Sequence, residues 1–335
     1  MKAMVIRQYG GPDVFVQEEI ATPAFIPRRH VLIQVKATSV NPVDYKIRSG
    51  LSGKSAPAFP AVLHGDVAGV ITQTGEDVNH LRVGDEVYAC AGGVRGTAGA
   101  LAEYMLADAD LVALKPKRLT MEEAAALPLV AITAWEGLVD RARVSPGQSV
   151  LVHAGAGGVG HVAIQLAKCF GARVIATASN EKKIAIAKAL GADEGINYRK
   201  TSVQDYVEAC TGGRGFDIVF DTVGRENLQR SFEAVANGGQ VICIQSNSVQ
   251  DLTPLHAKSV SLHAVMMLLP LWTGEGRKRH GDILSKVARL VDEGKVKPLL
   301  HAERFPFTKV AEAHRLLESG KANGKVVLTN DLLDN

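Results

Sequence analysis

Residues 149–172, SVLVHAGAGGVGHVAIQLAKCFGA, constrain the fold of this chain more than any other stretch. The run SVLVHA is almost wholly apolar, as a parallel strand covered on both faces requires. It passes into the turn GAGGVG, with glycine at 155, 157, 158 and 160, and then into the helical pattern HVAIQLAKCFGA, which Gly171 closes. Each glycine costs backbone entropy on folding, so such a concentration needs a reason. A tight strand–helix turn alone would use some of them. The GxGxxG spacing through Gly155, Gly157 and Gly160 supplies a stronger reason: strand, turn and helix open a β-α-β unit whose helix N-terminus can hold a pyrophosphate. Gly155 is expected to permit the turn. Gly157 and Gly158 are expected to let the backbone approach the phosphates, and Gly160 to let the helix pack close on the strand.

The alternation continues downstream. RVIATA, GIN, DIVFDTV, QVICI and VSLHAV read as strands, and NEKKIAIAKALGA and LQRSFEAVANGG as helices between them. Six strands alternating with helices predict an α/β fold with a doubly wound parallel sheet. Upstream, KAMVIRQ, DVFVQEE, HVLIQVKATSV, VAGVITQTG and GDEVYACAG are short, rich in β-branched residues and separated by turn residues, which predicts a compact, partly closed β-domain. Between the two regions, Thr120 is placed to cap a helix with Glu123 at the capping-box position, and Pro128 interrupts the helical pattern. The C-terminal part adds a long helix over roughly 282–293, then a helix and a strand in FTKVAEAHRLLESGKANGKVVLTN.

A formal net charge of +3 does not call for nucleic acid or an anionic membrane, and the one tight basic cluster, Gly276–Asp282, reads as a solvated helix start. Hydrophobic residues at 46% and charged residues at 22% suit a soluble globular protein. The four cysteines, Cys90, Cys169, Cys210 and Cys243, follow no metal or disulfide spacing, which fits thiols in a reducing compartment. No signal-peptide pattern opens the sequence, and the longest apolar run, Ala264–Trp272, is too short to span a bilayer. A cytoplasmic protein with a small-molecule partner is expected.

The end of the second strand of the sheet discriminates between dinucleotides. A carboxylate there would accept hydrogen bonds from a ribose 2′-hydroxyl. Here the strand ends in ATASNEKK: Ser179 follows it, with Lys182 and Lys183 close behind, and only Glu181 argues the other way. A hydroxyl and a cation suit a 2′-phosphate, so NADPH is the expected cofactor. The lysines would also suit a solvated helix face.

The combination NPVDYKIRSG, HGDVAG, AGAGGVG and DTVG resembles the medium-chain dehydrogenase/reductase superfamily, and within it the zinc-independent quinone oxidoreductases. The resemblance covers essentially the whole chain. It implies a GroES-like, partly closed β-barrel catalytic domain over 1–127 and 267–335, and a six-stranded Rossmann domain over 128–266. Zinc-dependent members carry a ligand Cys where this chain has Asn41, and a Gly-His-Glu where it has His64, Gly65 and Asp66; only Cys90 lies where a four-cysteine structural site would be. Asn and Gly cannot replace a thiolate and an imidazole on zinc, so no metal is expected. His64, one residue out of register, reads as a packing or hydrogen-bonding histidine.

The resemblance implies that Asn41 and Lys46 line the nicotinamide end, and that residues 156–159 (Ala156, Gly157, Gly158 and Val159) cradle the pyrophosphate. Ser179, Lys183 and Tyr198 would surround the adenosine phosphate, and Thr133 would face the phosphates or the nicotinamide. Ile244, Gln245, Ser246 and Asn247, with Val265, Met266 and Met267, would close over the nicotinamide, and Lys325 would reach the cofactor from the last strand. Without a Lewis acid the acceptor must itself be electrophilic. A quinone or an α,β-unsaturated carbonyl takes a hydride and leaves a delocalised oxyanion. Asn41, Lys46 and Tyr45 are the candidates for orienting the nicotinamide, stabilising that oxygen or relaying a proton. Asn41 as a turn residue before Pro42, Lys46 as a surface residue, Tyr45 as packing and Asp44 as a brace of the loop are the plainer readings. Relatives with an aromatic near Ser52 include enoyl-thioester reductases. Ser52 sets this chain apart from them, and a low-turnover NADPH-binding sensor or structural protein is the third reading. An apolar strand edge in QVICI and VSLHAV predicts a homodimer.

Overall fold

The computed structural model describes residues 1–333. These separate into two compact units, one formed by Met1–Leu129, Leu268–Gly294 and the chain from Pro298 onward, the other by Val130–Met267 with Lys295–Lys297. The short segment 295–297 falls outside the catalytic unit to which the 267–335 boundary assigns it, because Gln165 ties it to the second unit. Its Nε2 donates to the Lys297 carbonyl at 2.9 Å, and its Oε1 accepts from Lys297 N–H at 3.0 Å.

The first unit opens with β1 (Lys2–Ile6), β2 (Phe15–Glu19) and β3 (His30–Val40), followed by α1 (Pro42–Arg48), β4 (Ala61–Val62), β5 (Asp66–Thr74), β6 (Glu86–Cys90), β7 (Tyr104–Asp108), β8 (Val112–Leu114) and α2 (Met121–Ala125). Thr120 caps α2 as expected: its Oγ1 accepts from Glu123 N–H, and Glu123 Oε2 accepts from Thr120 N–H at 2.9 Å. The long β3 is the hub. Rich in Val and Ile, it pairs antiparallel with both β5 and β7. The NPVDYKIR segment is the helix α1 rather than a loop. Pro42 at its first turn is preset for a helix, and Asp44 Oδ2 accepts the Asn41 N–H at 2.7 Å.

The second unit contains α3 (Pro128–Trp135, its first two residues contributed by the other unit), a π-helical turn (Glu136–Arg141), β9 (Ser149–Val152), α4 (Gly158–Cys169), β10 (Arg173–Ala178), α5 (Glu181–Ala189), β11 (Glu194–Asn197), α6 (Val203–Thr211), β12 (Phe216–Asp221), α7 (Asn227–Ala234), β13 (Val235–Cys243), α8 (Thr253–Lys258) and β14 (Ser261–Ala264). Its six parallel strands lie in the order β11-β10-β9-β12-β13-β14, reversing direction of succession between β9 and β12. Leu151, Ile175, Val219 and Val241 are buried in the sheet against Tyr206, Phe216 and Phe232. The helix expected over LQRSFEAVANGG stops at Ala234, because Val235 pairs with Phe216 and a register shift lets VANGG join the strand. Helices α6 and α8 had no counterpart among the expected elements; α8 has only six residues, and α6, although amphipathic, was missed.

The chain then returns to the first unit with α9 (Leu269–Thr273), α10 (Arg277–Asp292), β15 (Phe305–Pro306), α11 (Val310–Glu318) and β16 (Val326–Thr329). Helix α10 starts earlier than the expected residue 282. The basic run is its first turn, where cations oppose the helix dipole. Carboxylates offset them: Arg277 pairs with Asp108 at 2.9 Å and Lys278 with Asp282 at 2.9 Å. His280 and Gly281 are buried, so the run is only partly solvated. Strand β16 pairs antiparallel with β3, Val326 opposite Val40.

Candidate active site

In the second unit, the predicted cofactor residues gather at the carboxyl ends of the parallel strands. The glycine turn follows β9, Ser179 follows β10, Tyr198 follows β11, Ile244–Asn247 follow β13 and Val265–Met267 follow β14. That edge, beside the point where strand order reverses, is where open parallel sheets bind nucleotides. Thr133 is buried in α3.

The turn distributes its steric demands differently from the expectation. The left-handed residue is Ala154, φ +53°, whereas Gly155 does not need a positive φ. Gly155 is required by packing: a Cβ there would lie 2.8 Å from Ala176 Cβ and 2.9 Å from Ile164 Cδ1. Gly160 closes the turn on itself, since its Cβ would stand 2.3 Å from the Ala154 carbonyl oxygen. No side chain caps α4 at Gly157, so its first N–H groups and positive dipole end are free for an anion. Two residues outside the prediction hold the turn. Thr177 Oγ1 accepts from Ala154 N–H at 3.3 Å and bonds His153 Nδ1 at 3.1 Å; Thr222 Oγ1 donates to the His153 carbonyl at 2.7 Å. Asp221, buried in the DTVG motif, accepts from the N–H groups of Val223 and Gly224, each at 2.8 Å, and from Ser231 Oγ.

Ser179 and Tyr198 leave adjacent strands paired at Ala178–Asn197, and Tyr198 N–H donates to the Ala178 carbonyl at 3.2 Å. Lys183 sits in the first turn of α5, capped by Asn180 Oδ1. Glu181, the one carboxylate that argued for NADH, is bonded to the end of the next strand: its Oε1 accepts from Asn197 Nδ2 at 3.1 Å and lies 3.6 Å from Lys200 Nζ, which lowers its pKa. The donors at this edge are a hydroxyl, a phenol and an ammonium.

In the first unit, a buried polar cluster lies where β3, β5 and β16 meet. Asp66 accepts from Ser39 Oγ at 2.7 Å, Asn41 Nδ2 at 2.8 Å, Leu129 N–H at 2.8 Å and Lys325 Nζ at 3.3 Å. Lys325 also donates to Asn41 Oδ1. The Asn41 side chain thus faces Asp66 and Lys325, and Lys46 and Tyr45 are half-buried on α1. Asp44 is fully buried, and burial pushes its carboxyl up to about 7.

A second chain of hydrogen bonds reaches the same cluster. Arg48, paired with Glu318 at 2.6 Å, donates from Nη1 to His314 Nδ1 at 3.2 Å. An arginine can only donate, so His314 carries its proton on Nε2 and gives it to His64 Nε2 at 2.9 Å. His64 is then protonated on Nδ1, facing Thr38 Oγ1, which donates to the Asp66 carbonyl at 2.5 Å. Burial holds both imidazoles neutral, His64 near 3. The reading of His64 as a hydrogen-bonding histidine agrees with this. Arg48, His314 and Thr38 had no local sequence signal.

These residues do not fit zinc. Asn41 offers an amide already bonded on both sides. A side chain at Gly65 would begin 2.9 Å from the Gly92 carbonyl oxygen and 3.1 Å from Cys90 Sγ. Among the described residues no group of three His, Cys, Asp or Glu could hold a metal ion.

Residues 27–117 match the alcohol dehydrogenase GroES-like domain, and residues 190–328 the zinc-binding dehydrogenase family. The structure superposes on an alcohol dehydrogenase superfamily protein from Novosphingobium aromaticivorans with a TM-score of 0.94 at 38% identity, covering 99% of this chain and 100% of that one. The chain belongs to the medium-chain dehydrogenase/reductase superfamily. It is 38% identical to 2-methylene-furan-3-one reductase of Solanum lycopersicum and 37% identical to the chloroplastic NADPH-dependent alkenal/one oxidoreductase of Arabidopsis thaliana, in each case over 98% of this chain and 79% of the relative. The quinone oxidoreductase of Escherichia coli, complexed with NADPH, superposes with a TM-score of 0.86 at 28% identity over 98% of this chain and 100% of that one. Its place within the superfamily is the quinone and alkenal/one oxidoreductase branch.

Proposed function

We propose that this protein is an NADPH-dependent reductase of quinones or α,β-unsaturated carbonyls, working without zinc. The observation that carries the reading is the uncapped glycine turn of the second unit, with Ser179, Tyr198 and Lys183 on the same strand-end edge; in the first unit Asn41, an amide already held by hydrogen bonds, stands where zinc-dependent members have a ligand Cys. NADPH, when bound, supplies a hydride from C4 of its nicotinamide. The α4 N-terminus and residues 156–159 hold the pyrophosphate, Thr133 faces it, and Ser179, Lys183 and Tyr198 take the 2′-phosphate. Residues 244–247 and 265–267 enclose the nicotinamide. Asn41 orients the reacting end through its remaining Nδ2 hydrogen. Lys46 and Tyr45 stabilise the oxyanion or pass a proton to it. The branch relatives act on an alkenal/one, a furanone and a quinone by name, all conjugated carbonyls that need no metal to accept a hydride.

Purified protein is mixed with NADPH and, separately, 1,4-quinones, alkenals and enoyl thioesters while absorbance of the reduced nicotinamide is followed. Turnover of a quinone or an alkenal, with NADPH preferred to NADH, is expected. Turnover of thioesters alone overturns the acceptor class, and NADPH binding without turnover of any acceptor overturns the enzyme. The edge strand β14, with Leu262 exposed, supports a homodimer paired through the sheets; a monomer in light scattering refutes that. Four free cysteines suit a cytoplasmic setting. Among the described residues no helix is long and apolar enough to cross a membrane.

A further inference from the structure

The connection between β6 and β7 carries Arg95, exposed yet held in one orientation. Its backbone N–H donates to the Ser55 carbonyl at 2.9 Å, and its Nε to the Lys54 carbonyl at 3.1 Å. Its guanidinium carbon stands 4.6 Å from the centroid of the Trp272 ring. Trp272 belongs to α9, whose carbonyls are held in turn by Arg277: Nε donates to that of Pro270 and Nη2 to that of Leu271, each at 3.3 Å. An arginine lying on an indole gains a cation–π attraction and a fixed plane. With Nε taken by a carbonyl, the end-on pair Nη1 and Nη2 remains, a fork that matches a carboxylate.

The loop that holds Arg95 is also the loop that leaves α1. Ser52 N–H donates to the Lys46 carbonyl at 2.9 Å, Ser55 N–H to the Ser52 carbonyl at 2.8 Å, and Arg95 N–H to the Ser55 carbonyl. One run of backbone bonds therefore joins Arg95 to Lys46, a residue assigned above to the oxyanion of the acceptor. The charge of this region is one-sided. Residues 45–65, 91–102 and 268–274 contain no Asp or Glu, and they carry Lys46, Arg48, Lys54 and Arg95. Arg48 is paired with Glu318 at 2.6 Å. The Arg95 side chain meets a carbonyl and a ring, and neither is a carboxylate. An arginine ordered by its neighbours and left without a counter-ion is preorganised for an anion.

We propose that Arg95, on its Trp272 platform, is a specificity residue that binds a carboxylate on the acceptor, so that the preferred acceptors are α,β-unsaturated carbonyls with an acidic tail. This rests on the reductase reading above. The tail takes no part in the chemistry: a hydride from C4 of NADPH goes to the carbon β to the carbonyl, a proton goes to the α carbon, and the products are the saturated keto acid and NADP⁺.

The test compares conjugated enones that bear a terminal carboxylate on tails of increasing length with their methyl esters. Acid and ester share the reacting carbonyl, so the ratio of their kcat/KM values reports the tail. The whole enzyme is expected to favour the acid tenfold or more at the best length, through KM rather than kcat, and to lose most of that preference at high salt. Arg95→Gln is expected to lower the acid-over-ester ratio at least tenfold. Arg95→Lys keeps the charge without the fork and should fall between. The saturated keto acid, titrated calorimetrically into the protein with NADP⁺, should bind the wild type and lose affinity tenfold or more in Arg95→Gln. Equal kcat/KM for acid and ester at every length, or a ratio unchanged in Arg95→Gln, would overturn the proposal and leave the reductase reading standing. Turnover of no conjugated carbonyl at all refutes the reductase reading, and the proposal falls with it. Should Arg95→Gln not fold, Arg95→Lys decides: an undiminished acid-over-ester ratio overturns the proposal.

Discussion

Asp44 should make this protein lose stability as the pH rises from acid toward neutral. The carboxyl is fully buried near Asp66, and burial is the main cause that lifts its pKa from 3.8 to about 7. In the unfolded chain it titrates near its ordinary value. Between those two pKa values the unfolded chain has released a proton that the folded chain retains. The unfolded state binds fewer protons, so stability falls with rising pH until the folded carboxyl also ionises near 7. A shift of about 3 units corresponds to about 4 kcal/mol. That is an upper bound, because a carboxylate in the first turn of α1 is favoured by the helix dipole. Asp44→Asn keeps an oxygen for the Asn41 N–H, which Asp44 Oδ2 now accepts at 2.7 Å, and cannot ionise. Urea unfolding of both proteins at pH 4.5, 6 and 8 isolates the effect, since other titrating groups cancel in the difference. Asp44→Asn should gain on the wild type across this range, by up to about 4 kcal/mol. A difference that stays flat, or that falls as pH rises, refutes the reasoning.

Other perturbations bear on the site. Gly160→Ala sets a methyl 2.3 Å from the Ala154 carbonyl oxygen, so the turn must move; we expect about 1–3 kcal/mol lower stability and at least a tenfold weaker NADPH affinity by fluorescence titration, and unchanged affinity would refute the role of the turn. Ser179→Ala with Lys183→Ala tests the charge-assisted contacts proposed to a 2′-phosphate, each worth about 1.5–3 kcal/mol: the NADPH-over-NADH preference in kcat/KM should drop at least tenfold, and an unaltered ratio places the phosphate elsewhere. Asn41→Cys with Gly65→His restores the side chains of zinc-dependent relatives, yet the new histidine would collide with Gly92; stoichiometric zinc in the purified variant would show that the backbone yields more easily than its packing indicates.

Much of the nucleotide unit is legible in the sequence because its determinants are local. The apolar run of β9, the glycines after it and the residues following β10 and β11 lie within short spans, and period and turn chemistry report them directly. Even there the details belong to packing. The left-handed residue is Ala154, and Gly155 is needed because Ala176 and Ile164 crowd it from a neighbouring strand and from α4. Glu181 is bonded by Asn197 on the next strand, a contact that no local pattern reports.

In the first unit the sequence by itself shows, through its resemblance to the superfamily, an asparagine and a glycine where zinc-dependent members carry a thiolate and an imidazole. What these residues bond to was decided by tertiary structure alone. Asn41 meets Lys325 across 284 residues, and His64 meets His314 across 250. No periodicity reports such pairs. They follow from strand β16 closing against β3 and from the cost of burying an ammonium and a carboxylate apart, which the fold meets by bringing them together.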